Sequence, residues 1–294
     1  MKFIILIPLY NDWKSVSKLI NEIDLKVSNW NAEISIMIMN DASTEKRSGL
    51  DLKLKKIKKI KILNMRENRV HVRCIAAGLK YIFENEDFDR VIIMDADGED
   101  RPEELSDFFK KAIENPDKAV TGNRFKRSEG LLFRISYQIH KMVTLIFTGK
   151  LIKFGNFTCL AKNHVKKLIE KPYLWNSYSS SIVKAIDDRT SIPVIRGTRY
   201  FGPSKMNFLT LVFHSFAIIS VFRNQVFARS IIFSIIYLLI TFNNFSIISL
   251  IPILFLFFFV LIIFKVSMRS NLGELNKSLE NIASIDVLNN FNSR

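Results

Sequence analysis

The chain reads as an α/β protein built on a doubly wound, mostly parallel sheet, followed by an interfacial helix and a two-helix transmembrane hairpin. Three observations predict this. Over roughly the first 120 residues, short apolar β-branched runs alternate with stretches of helical period, the rhythm of a sheet covered on both faces. One run, residues 90–94, breaks off into Asp95, Asp97, Glu99 and Asp100 with Gly98 and Pro102 inserted, so a buried strand delivers carboxylates to a sheet edge. Residues 230–264 carry no charged side chain at all.

Taken in order, residues 3–7 form a first strand ended by Pro8, and residues 14–27 show helical spacing through Val16, Leu19, Ile20 and Ile23. Residues 33–39 make a second strand that closes on Asn40, Asp41, Ala42, Ser43 and Thr44. Residues 59–63 are a third, with a helix over 72–83 whose Ile75, Leu79 and Ile82 share one stripe. The fourth strand is the one that ends at Asp95, and 102–113 is its helix. Residues 119–121 make a short fifth strand. Then the pattern loosens: an amphipathic helix over 131–147, a turn at Gly155, Asn156 and Phe157, a short basic helix over 163–169, and a strand over 192–195 ahead of Arg199.

The membrane part follows from length. Residues 208–222 are apolar but short, with Asn207, Thr210, His214 and Ala217 on one helical face, which suits a helix lying in the headgroup plane. His214 reads there as a polar-face residue. The uncharged run of 35 residues would span about 52 Å as one helix, far beyond a hydrocarbon layer of about 30 Å. Two spans joined at Asn243 and Asn244 fit instead, starting near Val226 with Arg229 snorkelling. Arg223, Arg229, Lys265 and Arg269 flank the outer ends and none lies at the turn, which puts both ends in the cytoplasm. The expected divisions are therefore a cytoplasmic catalytic region over 1–205, an interfacial helix over 206–225, two spans over 226–266, and a polar, weakly helical cytoplasmic tail over 267–294.

Composition narrows the partners. The net charge of +15 on 294 residues, 48% of them hydrophobic, is spread without a basic tail or aromatic interleaving, so no nucleic acid is expected. The charge suits anionic lipid and phosphate-bearing substrates. Six lysines within residues 53–61 are read as a solvated face. Cys74 and Cys159 lack ligand-like spacing, which indicates neither a disulfide framework nor zinc and fits a reducing compartment. The first residues form a strand and lack the cleavage site of a signal peptide. A homo-oligomer is left open.

The acids carry the chemistry. Ligands of open α/β sheets sit beyond the carboxyl ends of the strands. Asp95, Asp97 and Glu99 alternate, and in an extended chain they point the same way, three hard oxygen donors suited to Mg²⁺ or Mn²⁺. The competing reading is that Asp97 or Asp100 merely caps the helix opening at Pro102.

Five motifs in this order and spacing, Ile7-Pro8-Leu9-Tyr10-Asn11-Asp12, Asn40-Asp41-Ala42-Ser43-Thr44, Met94-Asp95-Ala96-Asp97, Arg199-x-x-Gly202-x-Ser204-Lys205 and a terminal pair of spans, resemble the family-2 inverting glycosyltransferases. Among these the chain looks most like the polyprenyl-phosphate sugar synthases, over roughly residues 1–266. The resemblance implies a GT-A fold and transfer of a sugar from a nucleotide diphosphate sugar to a polyprenyl phosphate at the cytoplasmic (inner) membrane. It implies nucleotide-sugar binding by Pro8, Tyr10, Asp12, Asp41 and Asp95, and a divalent ion on Asp95, Asp97 and Glu99 that assists departure of the diphosphate. Arg124, Arg199, Ser204 and Lys205 would hold donor or acceptor phosphate, with ordinary lipid-surface charge as the equal alternative for Arg199 and Lys205. By the same resemblance Asp97 and Asn156 are the expected catalytic pair.

Departures from the family pattern are Glu99 for Gln, Asp12 for Glu, Arg69 for the Gly after Asn68, Pro203 and Met206 around Ser204-Lys205, and Gly155-Asn156-Phe157-Thr158 for Gly-Asp-Phe-Arg. Asn156 cannot take a proton. An anionic lipid phosphate needs no base, whereas a glycan or lipid-linked oligosaccharide hydroxyl does. Two other functions therefore stay open: transfer to such a hydroxyl, and a non-catalytic nucleotide-sugar-binding membrane scaffold.

Overall fold

The structure is a computed structural model and describes residues 1–47, 50, 52–126, 131–203 and 208–289. Its centre is an eight-stranded sheet: β1 (Lys2–Leu9), β2 (Glu33–Asn40), β3 (Lys59–Met65), β4 (Arg90–Ile93), β5 (Ala119–Lys126), β6 (Phe154–Ala161), β7 (Arg189–Ile195) and β8 (Ile282–Asn289), in the order β7-β5-β6-β4-β1-β2-β3-β8. β1 runs parallel to β2 and β4, β2 to β3, and β5 to β7. β6 is antiparallel to β4 and β5, and β8 is antiparallel to β3. The sheet is thus mostly parallel.

Alternation along β1 shows how it is covered. Phe3, Ile5, Ile7 and Leu9 pack toward α1 (Trp13–Lys26) and α3 (Leu105–Glu114), through Val16, Leu19, Ile20, Ile23 and Phe108. Ile4 and Leu6 face α2 (His71–Asn85) and, with it, α5 (Lys162–Ile169) and α6 (Tyr178–Ala185). Each β1 residue therefore serves one of two cores, which is why the run is apolar without a break. A Cβ on Gly78 would lie 2.7 Å from Leu6 Cδ1 and 2.9 Å from Met39 Cγ, so α2 rides close on the sheet because that residue has no side chain.

Two sequence expectations need correction. The turn expected at Gly155 lies inside strand β6, whose one buried face (Phe157, Cys159) packs at Phe108 while the other joins the α2 core. The tail, read as weakly helical, forms α10 (Leu272–Asn276) and then β8, which extends the sheet beyond β3. Its alternation is weak because an edge strand needs only one covered side.

After β5 comes α4 (Leu131–Thr148), and after β7 come α7 (Phe208–Ser220), α8 (Arg223–Thr241) and α9 (Leu250–Ser267). The stretches Arg223–Asn244 and Ile247–Asn276 are long and apolar enough to cross a membrane, and α7 is shorter. Leu239, Ile240 and Ile247 are 72%, 77% and 83% exposed, a surface water does not tolerate on this scale. The break falls at Phe242–Asn244, as the paired asparagines predict. Arg229 donates through Nη1 to the carbonyl of Ile146, at 2.8 Å, near the C-terminus of α4.

Candidate functional site

The parallel strands β1, β2 and β4 all end at one edge, where three loops meet. Backbone strain collects there: the non-glycine residues with positive φ among those described are Asn11 (48°), Ala42 (54°) and Val70 (75°), which follow β1, follow β2 and precede α2. Asn11 ties the first two loops together. Its Oδ1 accepts from the Thr44 and Glu45 amides at 2.8 and 3.0 Å, and its own amide donates to Ser43 Oγ at 2.9 Å. Pro8 is buried within β1 and Tyr10 is exposed at the loop.

Asp41 is buried, and its Oδ1 accepts from the Arg69 amide at 2.8 Å while Asn68 Nδ2 donates to its carbonyl at 3.1 Å. Burial raises its pKa, against the pull of the Arg69 and Val70 amides. It therefore braces the loop into α2 as well as lining the edge.

The acidic turn does not stay extended. β4 stops at Ile93, the chain turns at Ala96 and Asp97, and Gly98 takes φ +86°, where a Cβ would lie 2.5 Å from the Tyr200 ring. Asp95, Asp97 and Glu99 consequently face different partners. Asp95 Oδ1 accepts from Asn156 Nδ2 at 3.2 Å and sits 3.1 Å from His71 Nε2. Asp97 Oδ2 accepts from Arg199 Nη1 at 2.7 Å, and Arg199 Nη2 reaches across to Asp12. Glu99 pairs with Arg196, whose Nε donates at 2.8 Å. Among the described residues no three His, Cys, Asp or Glu side chains converge as a metal cage.

The strand-to-helix segment after β7 is pinned over this turn: the Gly197 amide donates to the Glu99 carbonyl at 2.8 Å and the Tyr200 amide to that of Asp97 at 2.9 Å. A Cβ on Gly197 would lie 2.8 Å from the Gly98 carbonyl. Arg199 Nε is buried with no hydrogen-bond partner, a donor held dry and unsatisfied beside Asp12 and Asp97.

Asp100 lies beneath, buried, accepting from the Asp95 amide at 3.0 Å, with Arg124 Nη2 3.7 Å from its other oxygen. Arg124 in turn lies over Gly155, where a Cβ would be 2.8 Å from Nη2. Packing this many acids together divides their proton affinities. Burial would raise Asp95, but the charge and hydrogen bond of His71 outweigh it and hold that carboxyl well below the usual range. Asp97 is pushed up to about 6 by burial and by the Asp95 charge, and Asp100 to about 7 by the same two causes. Desolvation would lower His71, yet Asp95 raises it overall.

The structure thus brings together Asp12, Asp95, Asp97, Asn156, Arg124 and Arg199, sets Asp41 at the neighbouring strand end and Glu99 on its own guanidinium. Ser204 and Lys205 lie outside the described residues. Sequence reasoning missed His71 and Arg196, and gave Asp100 only the role of a helix cap. His71 opens α2 with no motif of its own, and Arg196 shows only as a second arginine three residues before Arg199. His214, read as a polar-face residue, is exposed on α7.

The chain is 27% identical over 220 residues to the undecaprenyl-phosphate 4-deoxy-4-formamido-L-arabinose transferases of Salmonella choleraesuis (strain SC-B67) and Salmonella paratyphi B, a match covering 72% of this chain and 64% of theirs. The match thus spans less than two thirds of those relatives' length. In fold it is similar to mannosyl-3-phosphoglycerate synthase from Rubrobacter xylanophilus (TM-score 0.56, 11% identity, 77% of this chain and 74% of that one). It is similar too to glucosyl-3-phosphoglycerate synthase from Mycobacterium tuberculosis, crystallised with Mn²⁺, UDP-glucose and phosphoglyceric acid (TM-score 0.51, 13% identity, 76% and 79%). The family model described as glycosyl transferase family 2 matches residues 4–173, more than half of the chain and including the ends of β1, β2 and β4, and the protein belongs to that family.

Proposed function

We propose that the protein transfers a sugar from a nucleotide diphosphate sugar to a polyprenyl phosphate at the cytoplasmic face of a membrane, with inversion at C1. The observation that carries this reading is the crevice itself: Arg199 bridging Asp12 and Asp97, its Nε unsatisfied, beside an acid cluster too crowded to ionise fully at neutral pH. The named sugar-lipid relatives supply the acceptor class.

The donor set fits a divalent cation. Asp95 and Asp97 offer hard oxygens, and the raised Asp97 marks a place where more positive charge would be welcome. A bound Mg²⁺ or Mn²⁺ would neutralise the departing diphosphate. Asp95 and Asp97 would hold it, with Glu99, here paired to Arg196, as the third proposed donor. The Mn²⁺ of the structural neighbour is consistent with this choice.

The chain's own residues do the rest. Pro8, Tyr10, Asp12 and Asp41 shape the nucleotide pocket at the ends of β1 and β2. Arg199 turns its free Nε–H toward donor phosphate, and Arg124, with Ser204 and Lys205 beyond the described residues, serves acceptor phosphate. An acceptor phosphate oxygen attacks C1 as the C1–O bond to the diphosphate breaks, giving a glycosyl phosphate lipid and nucleoside diphosphate. No proton need be removed, so Asn156 suffices as an orienting amide. Residues 1–205 carry the reaction, 206–225 seat it on the surface, 226–266 cross the bilayer, and 267–294 return to the cytoplasmic side.

Asp97→Ala tests the reading. In membranes supplied with a panel of nucleotide sugars, undecaprenyl phosphate and Mn²⁺, the variant loses transfer while its melting profile is retained; an unchanged rate refutes the assignment. Mild acid then separates acceptors, since it releases sugar from a polyprenyl phosphate but not from a glycosidic bond.

A further inference from the structure

Between Asp188 and Glu274 the chain contains no acid and eight basic residues. Arg196 and Arg199 find carboxylates on the acidic turn, and Arg229 finds the end of α4. Arg223 does not. Its contact among the described residues is Ser267 Oγ at 3.4 Å, a long hydrogen bond to a neutral group, and no described carboxylate pairs with it. Lys184 on α6 donates through Nζ to the Val221 carbonyl at 2.6 Å, two residues before Arg223, and burial and the Arg223 charge lower its pKa. Two cations therefore lie near the start of α8 with no counter-ion among the described residues.

Beside them runs a groove of about 390 Å³, lined by Arg223, Asn224, Val226, Phe227, Val260, Ile263 and Phe264. Arg223, Val226 and Phe227 follow the i, i+3, i+4 spacing on α8, and Val260, Ile263 and Phe264 repeat it on α9, so the groove lies along both helices. It is polar at the Arg223 end and apolar beyond. Its volume falls within the roughly 300–1,000 Å³ usual for ligand clefts.

We propose that this groove binds one anionic glycerophospholipid, its phosphate on Arg223 with Lys184 adjacent and an acyl chain between α8 and α9. The inference rests on the membrane reading of the hairpin and goes beyond the transfer reaction. A phosphate supplies the missing counter-ion, and the Phe227 and Phe264 rings, 58% and 56% exposed, flank a chain. Arg223 makes no described contact with Asp12, Asp95, Asp97 or Asn156, and this lipid is taken as distinct from the acceptor.

The full-length chain in nanodiscs containing equal phosphatidylglycerol and phosphatidylcholine, released gently and weighed by native mass spectrometry, tests it. One phosphatidylglycerol retained per chain is expected, with Arg223→Gln lowering its preference about fivefold, the scale of one basic contact to an anionic surface. Val260→Trp, which fills the groove without changing charge, should also release the lipid. Equal retention of both lipids by the unmodified chain overturns the proposal. So does displacement by inorganic phosphate alone, or displacement by undecaprenyl phosphate together with a raised KM for that acceptor in Arg223→Gln. A chain that does not sediment with membranes at all defeats the membrane reading instead, a result distinct from membrane-bound protein without lipid selectivity.

Discussion

At the scale of single residues, the crevice is a problem of crowded charge. Asp97 and Asp100 hold a proton more tightly in the folded protein than an unfolded chain would, so the stabilisation they give is complete below about pH 3.9 and is lost as the pH rises through about 6 and about 7. Asp95 works in the opposite sense: its carboxyl is held low by His71, and its contribution disappears only in strong acid. Between these limits the first pair dominates. The melting midpoint of metal-free protein in detergent should therefore fall from pH 4.5 to pH 7.5, Mn²⁺ should restore it at the upper end, and Asp100→Asn should flatten the slope. Asn156 offers a second check. Its Nδ2 donates to the ionised Asp95, and a hydrogen bond to a charged group is worth about 1.5–3 kcal/mol. Asn156→Ala should cost roughly 10- to 100-fold in kcat measured by product formation, whereas a scaffold without turnover would show no rate to lose.

At the scale of elements, the glycines decide how closely the parts approach. Gly78 lets α2 sit on Leu6 and Met39, so Gly78→Ala should destabilise the catalytic body by about 1–3 kcal/mol in denaturant titration, the usual cost of overpacking. Gly98 is more demanding, because its positive φ and the Tyr200 ring both exclude a side chain. Gly98→Ala should displace the segment carrying Arg196 and Arg199 and so depress transfer more than it depresses stability. These elements differ in how far they could be read beforehand. β1, β2, β3 and β4 announce themselves as apolar runs, and α1 and α2 as stripes, because their buried positions follow one another at short intervals. β6 does not, since it opens on half-buried Phe154, Gly155 and Asn156, and Gly and Asn ordinarily mark a turn.

At the scale of the whole molecule, the chain leaves the sheet after β7, passes through α7 and the hairpin, and comes back to pair β8 with β3. Trp175 Nε1 donates to Glu274 at 2.7 Å, and Arg73 lies 3.4 Å from the same carboxylate, so α10 is fastened to the helix that carries His71. A return to the same sheet requires an even number of crossings, which supports a hairpin with both ends on one side. Single cysteines introduced at Asn243 and at Lys277, in a background where Cys74 and Cys159 are replaced, should be labelled from opposite faces of sealed vesicles. Removing residues 271–294 should leave the protein in the membrane but bare the β3 edge, seen as a lower melting midpoint and greater aggregation after extraction.

By itself the sequence determined the doubly wound class, the two long apolar helices and the acids at the fourth strand end, because periodicity, uncharged length and a strand that breaks into carboxylates are written within short windows of the chain. Only the tertiary structure decided which cation meets which acid. Arg199 lies 102 positions from Asp97, His71 24 from Asp95, and β8 more than 200 from β3. Pairings over such distances depend on where the packed sheet and its covering helices bring the segments together, and on the turn at Ala96 and Asp97 that aims the three carboxylates apart.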